Sequence, residues 1–213
     1  KPSNKRYNNS IIEACNILQK LKNKTNTYVK LDLWLNQKEL KITQFQKKYS
    51  SILTSKLKLG LIGKLLNSIK WYINSSEYSS LQIELCQSHG DFQGSNILFD
   101  RLDLNKHFLI DWEFTDTRVW FYDYLVFYLM AREHGINFNK WKNERWLSLP
   151  KEIQFKILAE KNKFGTGLFL LIFVLEEFQF RCEEANKVPH EQVNKCFRNL
   201  MMSTAELKFK IIK

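Results

Sequence analysis

The chain has 213 residues, of which 44% are hydrophobic and 14% aromatic, and its formal net charge at pH 7 is +11. This length and composition are typical of a folded protein of one domain or one large lobe, and they exclude an intrinsically disordered chain. The four cysteines lie far apart and form no CxxC pair, which excludes a zinc knuckle and a disulfide-rich secreted scaffold.

The charge is unevenly distributed along the chain. Residues 1–83 carry 15 basic and 4 acidic groups, and residues 124–213 carry 15 and 10, whereas residues 84–123 carry 3 and 8. The lysines are dispersed and do not alternate with aromatic residues, so we do not expect nucleic acid as a main partner. The basic flanks leave open a peripheral contact with an anionic membrane surface. Residues 84–123 are therefore the one acidic segment of an otherwise basic chain.

Helical periodicity dominates the first part of the chain. Residues 8–22 are predicted to form a helix, with one apolar face made by Ile11, Ile12, Cys15, Leu18 and Leu21. Residues 27–35 alternate apolar and polar side chains, which is compatible with a short strand or an extended link. Residues 36–78 again repeat apolar residues at three- and four-residue steps, and a polar loop follows at 74–80.

Two short β-rich runs flank a charged turn in the middle of the chain. Residues 96–100 and 107–114 are predicted to form a β-hairpin around this turn. Helices are predicted over 122–135, ending near Gly135, and over 141–162, 164–186 and 188–207. The apolar run at 168–175 is far shorter than the roughly 20 residues that span a bilayer, so it indicates a buried core helix. The predicted fold is mainly α with one small β-hairpin.

The polar loop before the hairpin carries a distinctive set of side chains. Asp91 and Asn96 stand five residues apart, and Asp111 follows the second β-rich run. Asn96 and Asp111 suit Mg²⁺, which binds few protein oxygens and keeps its other positions for water and phosphate. Asp91 would remain able to orient an attacking hydroxyl. Metal ligands together with a separate residue that orients the acceptor are typical of phosphoryl transfer. A metal-dependent hydrolase is the alternative chemistry, but it needs a further ligand cluster, and the other histidines are isolated.

The stretch HGDFQGSNILF followed by LIDWEF resembles the catalytic and metal-binding segments of the aminoglycoside phosphotransferase and choline kinase-like superfamily, which has a protein-kinase-like fold. His89, Gly90, Asp91 and Asn96 match the H-G-D-x-x-x-x-N loop. Asp111 matches the Asp of the D-F-G element, and Asp123 follows it by twelve residues, at the start of the next predicted helix. The resemblance covers about residues 85–130.

The resemblance implies a C-terminal lobe of the protein-kinase-like α+β fold. One lobe would span residues 1–213, with a helical region at 1–84, the catalytic loop and metal-binding hairpin at 85–114, and a second helical region at 115–213. Asp91 would be the catalytic base or acceptor-orienting residue, and Asn96 and Asp111 would hold Mg²⁺.

The remaining candidate residues have supporting roles under the same resemblance. His89, in the catalytic loop, is expected to brace the loop by hydrogen bonds, with Gly90 and Asp123 as structural support. Glu113 replaces the glycine of D-F-G and would be an accessory residue for a second metal or the acceptor. ATP would be the phosphoryl donor, and a small-molecule hydroxyl would be the acceptor, of the aminoglycoside, choline, ethanolamine or sugar type.

The sequence lacks part of the family pattern. No strand–glycine-rich loop–strand and no strand lysine precede the HGD motif; Gly60 and Gly63 lie within a helical pattern. We therefore expect the N-terminal nucleotide lobe to lie upstream, to be supplied in trans, or to have been lost. A non-catalytic, pseudokinase-like module that binds a ligand or partner is the alternative. The polar start without a signal-peptide pattern and the scattered thiols favour a cytoplasmic location.

Overall fold

The computed structural model describes residues 4–100, 106–129 and 149–204. These residues are mainly helical and include short antiparallel strand pairs. The chain divides into two compact units, one formed by Lys1–Thr27 with Leu85–Glu160 and the other by Tyr28–Glu84 with Lys161–Lys213. The predicted division into a single lobe of three sequence segments stays a prediction.

The described helices and strands are numbered here in chain order. The α-helices are α1 (Asn4–Thr25), α2 (Leu31–Lys48), α3 (Gly63–Ile73), α4 (Tyr122–Leu129), α5 (Lys151–Asn186), α6 (Val193–Cys196) and α7 (Arg198–Thr204). A π-helix covers Lys56–Ile62, and short 3-10 turns cover Ser76–Tyr78, Gly94–Asn96 and His190–Gln192. The strands are β1 (Thr27–Lys30), β2 (Gln82–Ser88), β3 (Ile97–Phe99), β4 (His107–Leu109) and β5 (Asp116–Val119).

The strands form two small sheets. The predicted hairpin is confirmed: β3 pairs antiparallel with β4, from Ile97 opposite Leu109 to Phe99 opposite His107. A three-stranded sheet of order β1–β2–β5 was not predicted. In it, β2 pairs antiparallel with β5, from Leu85 opposite Val119 to Ser88 opposite Asp116. The alternating stretch 27–35 is a strand only to Lys30, where α2 follows. The mainly helical fold with a small β component is therefore confirmed.

Helix α1 buries a narrower face than predicted. Ile11, Ala14, Cys15 and Leu18 are at most 4% exposed, whereas Ile12 is 43% exposed. The buried positions follow the i, i+3, i+4, i+7 pattern, and Ile12 lies about 100° around the helix from Ile11. This face of α1 packs in the first unit, where α1 contacts the β3–β4 hairpin.

Helix α5 contains the most apolar segment of the chain. Every residue from Leu168 to Leu175 is at most 6% exposed, which confirms the predicted buried helix. Gly165 interrupts α5 with φ 72° and ψ 157°, at the second residue of the helix that the sequence predicts over 164–186. None of the described helices is both long and apolar enough to cross a lipid bilayer. The predicted helix end at Gly135 and the predicted helical residues 141–148 lie outside the described residues.

The second unit contains a buried ion pair between α2 and α5. The Lys38 side chain is almost fully buried, and its Nζ donates to Glu176 Oε2 and Gln179 Oε1, both at 2.6 Å. Glu176 has no exposed surface, and the Lys38 Nζ lies 4.9 Å from the centroid of the Trp34 ring. A buried charge of this kind is tolerated only with a partner of opposite charge and hydrogen bonds.

We predict that Lys38→Met destabilises the chain by about 3–5 kcal/mol, because it leaves the Glu176 carboxylate buried without its cationic partner. Urea-induced unfolding measures this loss. The Lys38→Met/Glu176→Gln double variant should lose less stability than the sum of the losses of the two single variants.

The matched control is Lys70→Met, because Lys70 is 64% exposed and pairs with Glu39 at 3.8 Å. That variant should cost less than about 1 kcal/mol. Additive losses in the double variant would contradict the predicted coupling.

Candidate active site

The loop between β2 and β3 is held at its start by one carboxylate. Asp123, in the first turn of α4, is 5% exposed. It accepts hydrogen bonds from the His89 N–H at 2.8 Å, the Gly90 N–H at 2.9 Å and the Ser88 hydroxyl at 3.0 Å. Both N–H groups belong to buried residues, where an unpaired donor costs free energy. Asp123 therefore fixes three consecutive residues as the chain leaves β2.

Gly90, the last of these three residues, has no room for a side chain. Its φ is +85°, and a Cβ placed on it would lie 2.2 Å from the Phe114 carbonyl oxygen and 3.0 Å from Arg118 Nη1. Arg118 is fully buried, donates from Nη1 to the same Phe114 oxygen at 2.8 Å and lies over the Tyr122 ring at 5.3 Å. The turn that precedes β5 thus packs directly on the loop, and only glycine fits at this contact.

His89 braces the loop through both ring nitrogens. Its Nε2 donates to the Ile110 carbonyl at 2.7 Å, and its Nδ1 accepts from the Asp91 N–H at 3.3 Å. A carbonyl can only accept, so these contacts assign the ring proton to Nε2. The ring is fully buried and lies 4.6 Å from the Trp112 ring. In this arrangement the imidazole positions backbone groups and is engaged at both nitrogens.

Asn96 joins the two ends of the loop through its side-chain amide. Its Nδ2 donates to the Asp91 carbonyl at 2.9 Å and to Asp91 Oδ2 at 3.1 Å. Gln93 Nε2 donates to the same carboxylate oxygen at 2.9 Å. Two amides therefore orient the Asp91 side chain, which is 8% exposed. Since Nδ2 faces Asp91, the Asn96 Oδ1 points elsewhere, and its contact among the described residues is the Ser95 hydroxyl at 3.5 Å.

Asp111 follows a residue that is fixed on both sides. The Ile110 N–H donates to the Asn96 carbonyl at 3.0 Å, and the Ile110 carbonyl accepts from His89. Asp111 has φ +64° and an exposed side chain. A left-handed conformation of this kind is uncommon outside glycine and is often found at functional sites. Within the described residues, the Asp111 carboxylate makes no hydrogen bond or ion pair.

Asn96 and Asp111 are candidate metal ligands of this region. The described residues contain no group of three or more His, Cys, Asp or Glu side chains that could hold a metal ion. Two side chains offer hard oxygen donors with weak or no hydrogen bonds in the described part of the chain: Asn96 through its Oδ1, and Asp111, after β4, through its carboxylate. Mg²⁺ is commonly held by one or two protein oxygens together with water and substrate phosphates. The donor set is therefore compatible with Mg²⁺.

The structure connects most of the sequence-predicted site residues. Hydrogen bonds link His89, Gly90, Asp91, Asn96 and Asp123, and the Ile110 backbone fixes the residue before Asp111. Glu113 lies exposed in the turn after Asp111 and stays a candidate accessory residue.

Three side chains that hold this loop were missed from the sequence. Gln93 stands in the polar loop two residues after Asp91, and this proximity could have indicated its contact with the carboxylate. Ser88 and Arg118 lie within short strands. Their contacts depend on how the strands and the following turn pack, so no local pattern indicates them.

A buried tyrosine directly follows Asp123 in α4. Burial raises the pKa of the Tyr124 phenol, and Cys15, Asp123 and Cys86 raise it further. Tyr124 is 1% exposed and follows Asp123 in α4. Its ring contributes packing, as does the neighbouring Trp120 ring at 6.1 Å.

Comparisons of the chain with protein-family models, with curated protein sequences and with solved structures found no match. The kinase-like interpretation therefore depends on the motif and the contacts of the loop itself. Those contacts are specific enough to be tested one residue at a time.

We predict that Gly90→Ala destabilises the chain by about 2–4 kcal/mol, because the new methyl group meets the Phe114 carbonyl and alanine disfavours a positive φ. Thermal or urea unfolding measures the loss. Gly60→Ala is the matched control, since no atom lies within 4 Å of the position that its Cβ would take and Gly60 belongs to the π-helix. It should be neutral or stabilise by up to about 1 kcal/mol. Equal effects of the two variants would show that the Gly90 contact is unimportant.

Proposed function

We propose that the chain is the catalytic lobe of a phosphotransferase that transfers a phosphoryl group from ATP to a hydroxyl of a small molecule. The observation that carries this proposal is the orientation of the Asn96 amide. Its Nδ2 donates to Asp91, at 2.9 Å and 3.1 Å, so its Oδ1 faces away from Asp91. One side chain thus orients a candidate acceptor-binding carboxylate and offers an oxygen to a metal.

In the proposed reaction Asp91 binds the acceptor hydroxyl and accepts its proton as the oxygen attacks. The amides of Asn96 and Gln93 hold this carboxylate in one orientation before any substrate arrives. Holding a reacting group in a fixed orientation accounts for a large part of the rate enhancement in phosphoryl transfer, because the protein supplies mainly positioning and charge stabilisation. His89 and Asp123 act as positioning residues, because their contacts are to the backbone of the loop.

Asn96 Oδ1 and the Asp111 carboxylate would hold the metal of a magnesium–nucleotide complex. Mg²⁺ bound to the phosphates would neutralise charge on the transferred group. Asp111 is suited to this role because its carboxylate is exposed and makes no hydrogen bond within the described residues. The adenine-binding lobe would lie upstream in a longer chain or be supplied in trans.

The acceptor is proposed as an alcohol of the aminoglycoside, choline, ethanolamine or sugar type. The segment 84–123 carries eight acidic and three basic groups, which favours a cationic acceptor near the loop. Asp91 and Asp123 are used by the loop and Asp111 is assigned to the metal, so the other carboxylates of the segment would supply this attraction.

The first test measures phosphoryl transfer from Mg-ATP to a panel of these alcohols by the full protein that contains the chain. Asp91→Asn keeps the shape of the side chain but removes its ability to accept a proton. We expect kcat to fall by about 10²–10⁴-fold. Asp32→Asn, in the first turn of α2, is the control with the same chemical change and should keep normal activity. Undiminished turnover in Asp91→Asn would refute the assignment.

The second test measures metal binding separately from activity. Mn²⁺ serves as the probe and is titrated into the chain, with free Mn²⁺ followed by electron paramagnetic resonance. We expect Asp111→Asn to weaken binding by about tenfold or more, because it removes the charged ligand. Asp32→Asn should bind as the unmodified chain does. Asp111-dependent binding without phosphoryl transfer by the full protein would favour the non-catalytic, ligand-binding alternative.

A further inference from the structure

The second unit contains a cavity that the proposed phosphotransferase function does not use. The π-helix Lys56–Ile62, the first turns of α3, and α7 line a space of about 870 Å³. This volume lies within the range of about 300–1,000 Å³ that is typical of small-molecule sites. A π-helix is rare and is often found at functional sites. The cavity is therefore a candidate binding site of its own.

The edge of the cavity exposes large apolar side chains. Leu59, in the π-helix, is 76% exposed, and Met202, in α7, is 73% exposed. Exposing such side chains to water is unfavourable, and both line the cavity. Methionine is flexible and adapts to ligands of irregular shape. These two residues favour a ligand with an apolar body.

The charged side chains that line the cavity are cationic. Lys56, Lys64 and Arg198 line it, and the described lining includes no Asp or Glu. The Lys64 Nζ donates to the Thr204 carbonyl at 3.1 Å, and partial burial lowers the pKa of Lys64. Lys56 and Arg198 have exposed side chains. Three cations around one apolar space favour a ligand that carries negative charge.

Gly60 leaves part of the cavity wall without a side chain. No atom lies within 4 Å of the position that its Cβ would occupy, and Gly60 lines the cavity. A ligand can therefore approach the backbone of the π-helix at this residue. A side chain placed at Gly60 would therefore begin in open space at a residue that lines the cavity.

We propose that this cavity binds a single-chain amphiphile with an anionic head, of the alkyl phosphate or fatty acid type. The alkyl chain contacts Leu59 and Met202, and the head lies near Lys56 and Arg198. A concave space of about 870 Å³ accommodates one free molecule, whereas a bilayer surface requires side chains that protrude from a flat or convex face. The site is independent of the proposed phosphotransferase function.

Isothermal titration calorimetry with decyl phosphate, below its critical micelle concentration, tests the proposal. We expect one molecule to bind per chain, decanol to bind at least about tenfold more weakly, and inorganic phosphate to show no binding at the same concentrations. Gly60→Phe should weaken binding by about tenfold or more because the ring occupies the cavity. Lys56→Gln/Arg198→Gln should weaken it by about three- to tenfold.

Matched controls separate this site from general attraction to a basic protein. Lys24→Gln/Lys47→Gln removes two exposed lysines elsewhere and changes the net charge equally, so it should leave binding unchanged. Circular dichroism checks that each variant is folded; the charge variant provides the decisive comparison if Gly60→Phe does not fold. The proposal is overturned if decyl phosphate does not bind, if decanol binds as tightly, or if all folded cavity variants bind normally. Binding to anionic vesicles without binding of the monomeric amphiphile would also overturn it.

Discussion

The loop that carries the candidate catalytic residues depends on the buried carboxylate of Asp123. It receives two backbone N–H groups and one hydroxyl from the end of β2, at distances of 2.8–3.0 Å. Without it, the N–H groups of His89 and Gly90 would lack this partner in a buried environment. Because Asp123 lies at the start of α4, the conformation of the loop depends on a helix more than thirty residues further along the chain.

Beyond Asp123, hydrogen bonds connect four residues of this region in a closed ring. His89 contacts Ile110 and Asp91, and Asn96 contacts the same two residues from the other side. Each member is held by two neighbours, and hydrogen bonds in such a network reinforce one another in a low-dielectric environment. The ring explains how a loop with little regular structure can hold Asp91 in one orientation. It also explains why the hairpin is needed, since β3 and β4 bring Asn96 opposite Ile110.

The features that could be predicted from the sequence are those that depend on short-range patterns. The hairpin, the buried run 168–175 and the motif from His89 to Asn96 are all visible as short-range periodicity or spacing. Strand β5 was missed because its residues, DTRV, carry two charges and pair with a strand about thirty residues away. Arg118 was missed for the same reason, since its burial follows from the turn that packs on Gly90. The exposure of Ile12 depends on which side of α1 meets the hairpin, and two adjacent isoleucines do not specify it.

Asp111 combines a backbone conformation that favours glycine with a carboxylate that is proposed to bind a metal. Glycine adopts φ +64° with little strain, whereas an L-residue with a side chain is disfavoured there by about 1–2 kcal/mol. Replacement by glycine would relieve this backbone strain, at the cost of a more flexible unfolded chain, while deleting the carboxylate proposed to hold the metal. Under the proposed function, any stability gained by that replacement would come with the loss of a metal ligand. Engineering of this chain for stability should accordingly keep Asp111 fixed and seek its gains elsewhere.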